Sequence, residues 1–318
     1  MTHTQENKTT DKDFLVEIGC AELPPKALRG LSEAFITGLQ SGLDGAGLSY
    51  AAIRPFTSPR RLAARVEGLS AKQADTNIER FGPAVKAAYD KDGNPTPAAS
   101  GFARSCGVDI AALATVEKDG VEKLVFRADK AGEETATLLP GIVASALAKL
   151  PIPRKMRWGS TRDEFVRPVY WLVMLFGDDV IDTELFGIKS GRTTHGHRFH
   201  CGKDITLTSP AQYEGQLLNP GYVIADYDAR KRKVRELVEA QGVALNAEVR
   251  IDEDLLEEVT SMVEWPVALT GRFDDHFLSV PPEALISSMK NHQKTFYVLD
   301  KDAQMLPYFV AVANLDSK

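Results

Sequence analysis

The sequence predicts an α+β fold in which mixed or antiparallel sheets pack against helices. Three observations carry this: short β-branched apolar runs, stretches whose apolar residues recur at helical spacing, and a hairpin dipeptide set between two strand-like runs. Residues 1–13 read as a flexible polar leader, 14–150 as one α+β subdomain, and 151–318 as a second that grows more helical towards its C-terminal end. No internal repeat or low-complexity tract interrupts them.

The run 14–18 has the character of a buried strand, closed by Gly19. Pro24 and Pro25 suit the first turn of a helix, where a missing N–H costs nothing, and Leu28, Leu31, Phe35 and Leu39 give that helix one apolar stripe until the glycines of 42–47 stop it. In 61–66, alternation puts Leu62, Ala64 and Val66 on one face and Arg61, Ala63 and Arg65 on the other, which predicts a half-buried strand with a basic outer face. Turn residues over 90–97 predict a surface loop, followed by a short helix over 98–106. Asp119-Gly120 supplies the positive φ of a tight hairpin between 113–117 and 122–126. Leu139, Ile142, Val143, Ala146, Leu147 and Leu150 mark an amphipathic helix ended by Pro151 and Pro153, with Pro140 either starting it or kinking an earlier one. Beyond it come a central strand over 169–176, a second over 181–186, and helices around 227–238, 255–262 and 283–290. Two layers are the expected architecture.

Composition narrows the function classes. With 43% hydrophobic residues in 318, the chain can bury a sizeable core. Its longest strongly apolar stretch, 169–176, is far shorter than the roughly 20 residues that span a bilayer. Three widely spaced cysteines, Cys20, Cys106 and Cys201, with no CxxC pair, fit a reducing cytoplasmic setting and buried, inert thiols. A net charge of −6 argues against unselective coating of nucleic acid, so any RNA contact must use local basic patches. No GxSxG elbow, HExxH helix, P-loop or dinucleotide glycine fingerprint is present, and no catalytic residue is assigned.

Two constellations remain. Thr194-His-Gly-His-Arg-Phe-His-Cys201 sets three histidines beside a cysteine, which raises a metal-dependent hydrolase built on His195, His197, His200 and Cys201. On a strand, however, His195 and His197 would face one way and His200 the other, and no second cluster completes four-coordination, so no metal is assigned. The second constellation is basic. Arg154, Lys155, Arg157, Arg162 and Arg167 surround Trp158 in a Pro-bounded, loop-like span, a composition that suits phosphate contact and base stacking and equally a solvated loop. Arg60 and Arg61 form a further patch; the cations of 230–235 face carboxylates a turn away and read as locally paired.

These residues also carry a resemblance. Phe14-Leu-Val-Glu-Ile-Gly19 with Glu22-Leu-Pro-Pro-Lys-Ala-Leu28 resembles the opening of bacterial glycyl-tRNA synthetase β subunits. Ser58-Pro-Arg-Arg-Leu-Ala63, Met156-Arg-Trp-Gly159, Phe165-Val-Arg-Pro168, Gly196-His-Arg-Phe199, Val223-Ile-Ala-Asp226, Val263-Glu-Trp-Pro266 and Val312-Ala-Asn314 resemble further blocks of that family in the expected order. Cys20 and Ala21 depart from it where a threonine and a glutamate are expected.

The resemblance implies a ligase subunit that binds tRNA(Gly) and assembles with an α subunit, as α2β2 in the cytoplasm, while ATP with Mg2+ acts at α and this chain binds no cofactor. With the basic patches read from the residues themselves, Arg60, Arg61, Arg157, Trp158, Arg167 and Arg198 are the candidate tRNA contacts. The resemblance also implies a chain that continues past Lys318 into an HD-like region and an anticodon-binding domain, which this sequence lacks. A non-catalytic scaffold for α is the remaining alternative.

Overall fold

The computed structural model describes residues 11–160 and 162–316, so most of the expected leader lies outside the described residues. Its last two residues do not behave as a leader: β1 (Lys12–Cys20) already includes Lys12 and Asp13, and the Asp13 carboxylate accepts the Gly68 N–H at 3.0 Å. α1 (Pro25–Gly45) buries Leu28, Leu31, Phe35 and Leu39 as the stripe requires. The helix runs on through Gly42, which serves packing rather than termination, since a Cβ there would stand 2.6 Å from Ile142 Cγ2. β2 (Ala52–Ser58) and β3 (Arg61–Leu69) form a hairpin that lies beside β1.

Lys72–Thr135 is a separate compact unit. It comprises β4 (Thr76–Ala84), α2 (Val85–Ala88), α3 (Pro97–Cys106), β5 (Ala114–Lys118) and β6 (Val121–Lys130), with sheet order β4-β6-β5. Asp119 and Gly120 both take positive φ, and the expected hairpin forms between β5 and β6. Ala88, Ala99 and Leu124 make its small core.

The rest of the chain forms the other unit. α4 (Thr135–Ala148) buries Leu139, Val143, Ala146 and Leu147, and Pro140 sits inside it rather than at its start. A small hairpin follows, β7 (Met156–Arg157) against β8 (Glu164–Phe165), and then the central strand β9 (Val169–Phe176). Of the expected strand over 181–186 only β11 (Glu184–Leu185) forms, between β10 (Asp179–Val180) and β12 (Ile188–Gly191), and Phe186 and Gly187 at positive φ turn the chain back from β11 into β12. β13 (Thr193–His195) pairs with β14 (Asp204–Thr206), and α5 (Tyr213–Leu218) follows. The C-terminal part holds α6 (Tyr227–Ala244), β15 (Glu248–Val249), α7 (Glu253–Thr260), β16 (Val267–Arg272), α8 (Pro282–Ser287), β17 (Phe296–Leu299) and β18 (Met305–Ala313). Its sheet order is β15-β17-β18-β16.

The main sheet runs β11-β12-β9-β1-β3-β2, with β10 also on β9. β1 at its centre is buried on both faces. One face carries Val16, Ile18, Leu62, Ala64, Leu172 and Met174 against α1 and α4. The other carries Leu15, Ala63, Trp171, Val173 and Leu175 against Ile205, Leu207, Tyr213, Leu217 and Val223. Three layers replace the expected two, and the basic outer face expected on β3 is an interior one: Arg61 and Ala63 are fully buried. The expected boundary near residue 150 also moves, because β9 on its far side pairs with β1 on its near side over seven register positions, whereas Lys72–Thr135 keeps its contacts largely to itself. The α+β class stands.

Gly19 marks the tightest point of the main sheet. A Cβ there would lie 1.8 Å from Trp171 Cε2, so Gly19→Ala is expected to destabilise the fold by about 3 kcal/mol through overpacking. Gly30→Ala, on α1 with nothing within 4 Å, is expected instead to stabilise by about 0.5–1 kcal/mol. Urea unfolding midpoints of the two variants check both signs.

Candidate functional site

Burial of Arg61 follows from its place at the start of β3, where strand alternation aims its side chain at the layer containing Tyr213. Its Nη1 lies 3.6 Å from Glu17 Oε1 and its Nη2 3.3 Å from Glu264 Oε1, and Nη2 also donates to the His195 carbonyl at 2.9 Å. Ser58 Oγ donates to the same Glu264 oxygen at 2.7 Å. Burial pulls the Arg61 pKa down, but Glu264 and Glu17 outweigh it and hold the guanidinium above its ordinary range. Tyr213, pressed against Glu17 in the same interior, is kept protonated by burial and by that carboxylate. Arg230 of α6 is equally buried; its Nε donates to Thr260 O at 3.1 Å and its Nη1 to Ile224 O. Burial lowers the Arg230 pKa to about 10, so it remains a cation at neutral pH. Two arginines and two glutamates thus share one enclosed region. Glu17 and Glu264 are given no role by the sequence, since each is a lone acid among apolar residues; Arg230, read with 230–235 as a locally paired cation, is instead buried and bonded to backbone carbonyls, because helical spacing places it on the inner face of α6.

Above this network runs a basic strip. Arg60, in the β2–β3 turn, lays its guanidinium 5.4 Å over the Trp171 ring. It shares an open cleft of 270 Å3 with His195, Arg198, Lys203 and Asp204. Arg198 pairs with Glu22 at 3.2 Å, Arg167 Nε donates to the Glu22 carbonyl at 3.1 Å, and Arg167 Nη1 reaches Met156 Sδ at 3.3 Å. Next to Met156, Arg157 is exposed and pairs with Glu164 at 2.9 Å. Five of the six candidate tRNA contacts therefore lie along one run of neighbouring residues, while Arg61 lies beneath it and out of reach of any ligand. Trp158 packs towards Phe186, ring centroids 6.3 Å apart, on the partly buried side of the main core.

The histidines do not form the alternating strand considered above, because β13 ends at His195 and the chain turns. His195 Nδ1 meets Asp204 at 2.9 Å and its ring stands edge-on to Trp171. His197 is buried, and its Nδ1 accepts the N–H groups of Phe199 and His200 at 3.3 Å each. Cys201 Sγ donates to the Lys203 carbonyl. Among the described residues no group of three His, Cys, Asp or Glu side chains is placed to hold a metal ion. Of the thiols, Cys20 is buried and burial raises its pKa to about 12, only partly offset by Arg61 and Arg60, which leaves it inert. Cys106 and Cys201 are half-buried.

The family model of the glycyl-tRNA synthetase beta subunit matches residues 14–318. The chain belongs to the glycyl-tRNA synthetase β-subunit family. It is 54% identical over 307 residues to the glycine–tRNA ligase beta subunit of Hahella chejuensis, 51% over 313 to that of Marinobacter nauticus, and 50% over 312 to that of Pseudomonas aeruginosa, in each case over 96% of this chain and 44% of the relative. The chain spans less than half the length of the curated relatives it matches. Blocks that carry the family resemblance, far apart in sequence, meet at the buried network: Ser58 and Arg61 from one, His197 from another, Ile224, Glu264 and Asn314 from three more. Asn314 Oδ1 accepts the N–H groups of Glu264 and Trp265, at 2.6 and 3.1 Å, and the Ile224 N–H bonds to the Glu264 carbonyl at 3.0 Å.

Removing the guanidinium strands two enclosed carboxylates. Arg61→Ala is expected to cost about 3–5 kcal/mol, seen as a lowered urea midpoint, and Arg61→Lys to recover only part because an ammonium cannot span both partners. His197 gives a second expectation. Burial, with the nearby His200 and against Glu264 and Asn314, lowers its pKa below 6.5, so its neutral ring contributes fully above pH 6.5 and that contribution is lost as pH falls from there through the folded pKa. His197→Gln should flatten the stability profile in that acid window, measured as unfolding midpoints on either side of pH 6.5.

Proposed function

We propose that the chain acts as part of the β subunit of glycyl-tRNA synthetase, contributing tRNA binding and assembly with the α subunit to the ATP-dependent attachment of glycine to tRNA(Gly). The observation that carries this is the family match over residues 14–318. In this reading ATP and Mg2+ work at the α subunit, since no phosphate-binding glycine loop occurs in this sequence. The assembly is α2β2 and cytoplasmic; among the described residues no helix is long and apolar enough to cross a membrane. Arg60, Arg157, Arg167 and Arg198 supply the contact to the tRNA backbone. Arg198 and Arg157 are set against the exposed carboxylates of Glu22 and Glu164, which a phosphate can displace, while Arg60 lies over Trp171 and Arg167 is held by the Glu22 carbonyl. On an acidic chain, such a local strip is the physical means of attracting RNA.

The test uses the chain with the α subunit of a glycyl-tRNA synthetase. Arg60→Ala, Arg198→Ala, Arg167→Ala and Arg157→Ala are each expected to weaken tRNA binding and to reduce the log–log salt slope by about 1, with ATP–pyrophosphate exchange unchanged. Trp158→Ala, which removes packing rather than charge, should lower the melting midpoint and leave the slope alone. Unaltered affinity across a salt titration in all four arginine variants refutes the strip, and robust ATP–pyrophosphate exchange with glycine by the chain without α refutes the division of labour.

A further inference from the structure

The turn after β13 carries a run of rings for which the packing of the sheets does not account. His200 stacks on buried His197 with centroids 4.7 Å apart, Tyr222 lies 5.3 Å from His200, and Trp265 meets Tyr222 edge-on at 5.3 Å. Phe199 stands 6.1 Å from His197. The run is anchored at two points, at His197 by the two N–H groups on its Nδ1 and at Trp265 by its backbone N–H on Asn314 Oδ1. Phe199 at one end is 69% exposed, and Tyr222, between the anchored rings, is 42% exposed.

Single exposed apolar side chains are ordinary, but these stand together. Leu218, whose carbonyl accepts the Tyr222 N–H, is exposed beside them, as is Leu315, adjacent to the Asp316 N–H that donates to His200 Nε2. Cations border the patch. Arg198 precedes Phe199 directly, and Arg60 and Lys203 line the neighbouring cleft.

We infer that this ladder of rings is a stacking platform for unpaired RNA bases, with Arg198, Arg60 and Lys203 taking the flanking phosphates. Every base offers a π face to an exposed ring, and every linkage offers a phosphate to a guanidinium or ammonium, so rings bordered by cations suit single-stranded RNA in a sequence-tolerant way. Lys203 at the cleft and Arg198 in an exposed, exchangeable ion pair give the rings a cationic border that matches phosphates and that a purely apolar protein partner would not match. The inference rests on the tRNA-handling reading above and adds to it the state of the RNA: bases free of pairing.

The experiment measures binding of the chain to a single-stranded oligoribonucleotide and to a fully paired RNA hairpin of equal length, each over a salt series. Phe199→Ala, at an exposed position, should keep the wild-type melting midpoint, and Phe199→Ala and Tyr222→Ala should each weaken single-strand binding about tenfold without changing the salt slope, leaving the hairpin unaffected. Phe199→Tyr should bind as wild type, and Arg198→Ala should reduce the slope. Wild-type single-strand affinity in both alanine variants overturns the platform; if Arg198→Ala still weakens binding in that case, the basic strip stands without it. Failure of the unmodified chain to bind either RNA overturns the tRNA-handling reading as well. Ring variants that lose capture of the α subunit while binding RNA normally assign the patch to a protein face and likewise overturn the platform.

Discussion

The burial of one guanidinium, Arg61, between two carboxylates from distant parts of the chain is the constraint on which the rest of this unit depends. Glu17 reaches it from the central strand β1 and Glu264 from the segment that leads into β16. Desolvating a cation is costly, and the cost is offset only when the partners and donors are all in place. The main sheet, the covering layer of β14 and α5, and the C-terminal helices therefore have to close together. Arg230, equally buried, is held by donating to the Thr260 and Ile224 carbonyls.

That interior also sets the surface above it. Because Arg61 is pinned below, the turn carrying Arg60 is held against Trp171, and the His195 carbonyl that Arg61 grips fixes where the following turn begins. Arg198 and Phe199 project from that turn, one towards Glu22 and the other into solvent. A buried charge network thereby positions an exposed basic and aromatic face that no local element could hold by itself. The exposed ion pairs of that face contribute little to stability, so their arginines are free to exchange carboxylate for phosphate.

Much of the fold was legible before the coordinates. The stripe of α1, the Asp119-Gly120 hairpin, α3, α4 and the helices of the C-terminal part all arise from interactions within a few residues, which periodicity and turn chemistry report directly. The reading failed where one residue pattern serves two environments. Alternation in 61–66 places Arg61 and Ala63 on a common face, but it does not say whether water or another layer covers that face. Likewise, a strand over 195–200 would set His195 and His197 on one face and His200 on the other, whereas the hydrogen bonds of Phe199 and His200 to His197 Nδ1 close a turn. The strand expected over 181–186 ends at Leu185 for a related reason, since the positive φ at Phe186 is a conformation that phenylalanine itself gives no cause to expect.

The sequence by itself determined the local elements, the α+β class and, through collinear blocks spread over nearly its whole length, the family to which the chain belongs. It also placed the candidate arginines. Only the tertiary structure separated those that can meet a ligand from the one that cannot, because exposure is a property of what packs above a side chain. Arg60 and Arg61 are adjacent in sequence and identical in chemistry. One lies half-buried over Trp171 at the edge of a cleft and the other is sealed between Glu17 and Glu264, and that difference is decided by residues far from both along the chain.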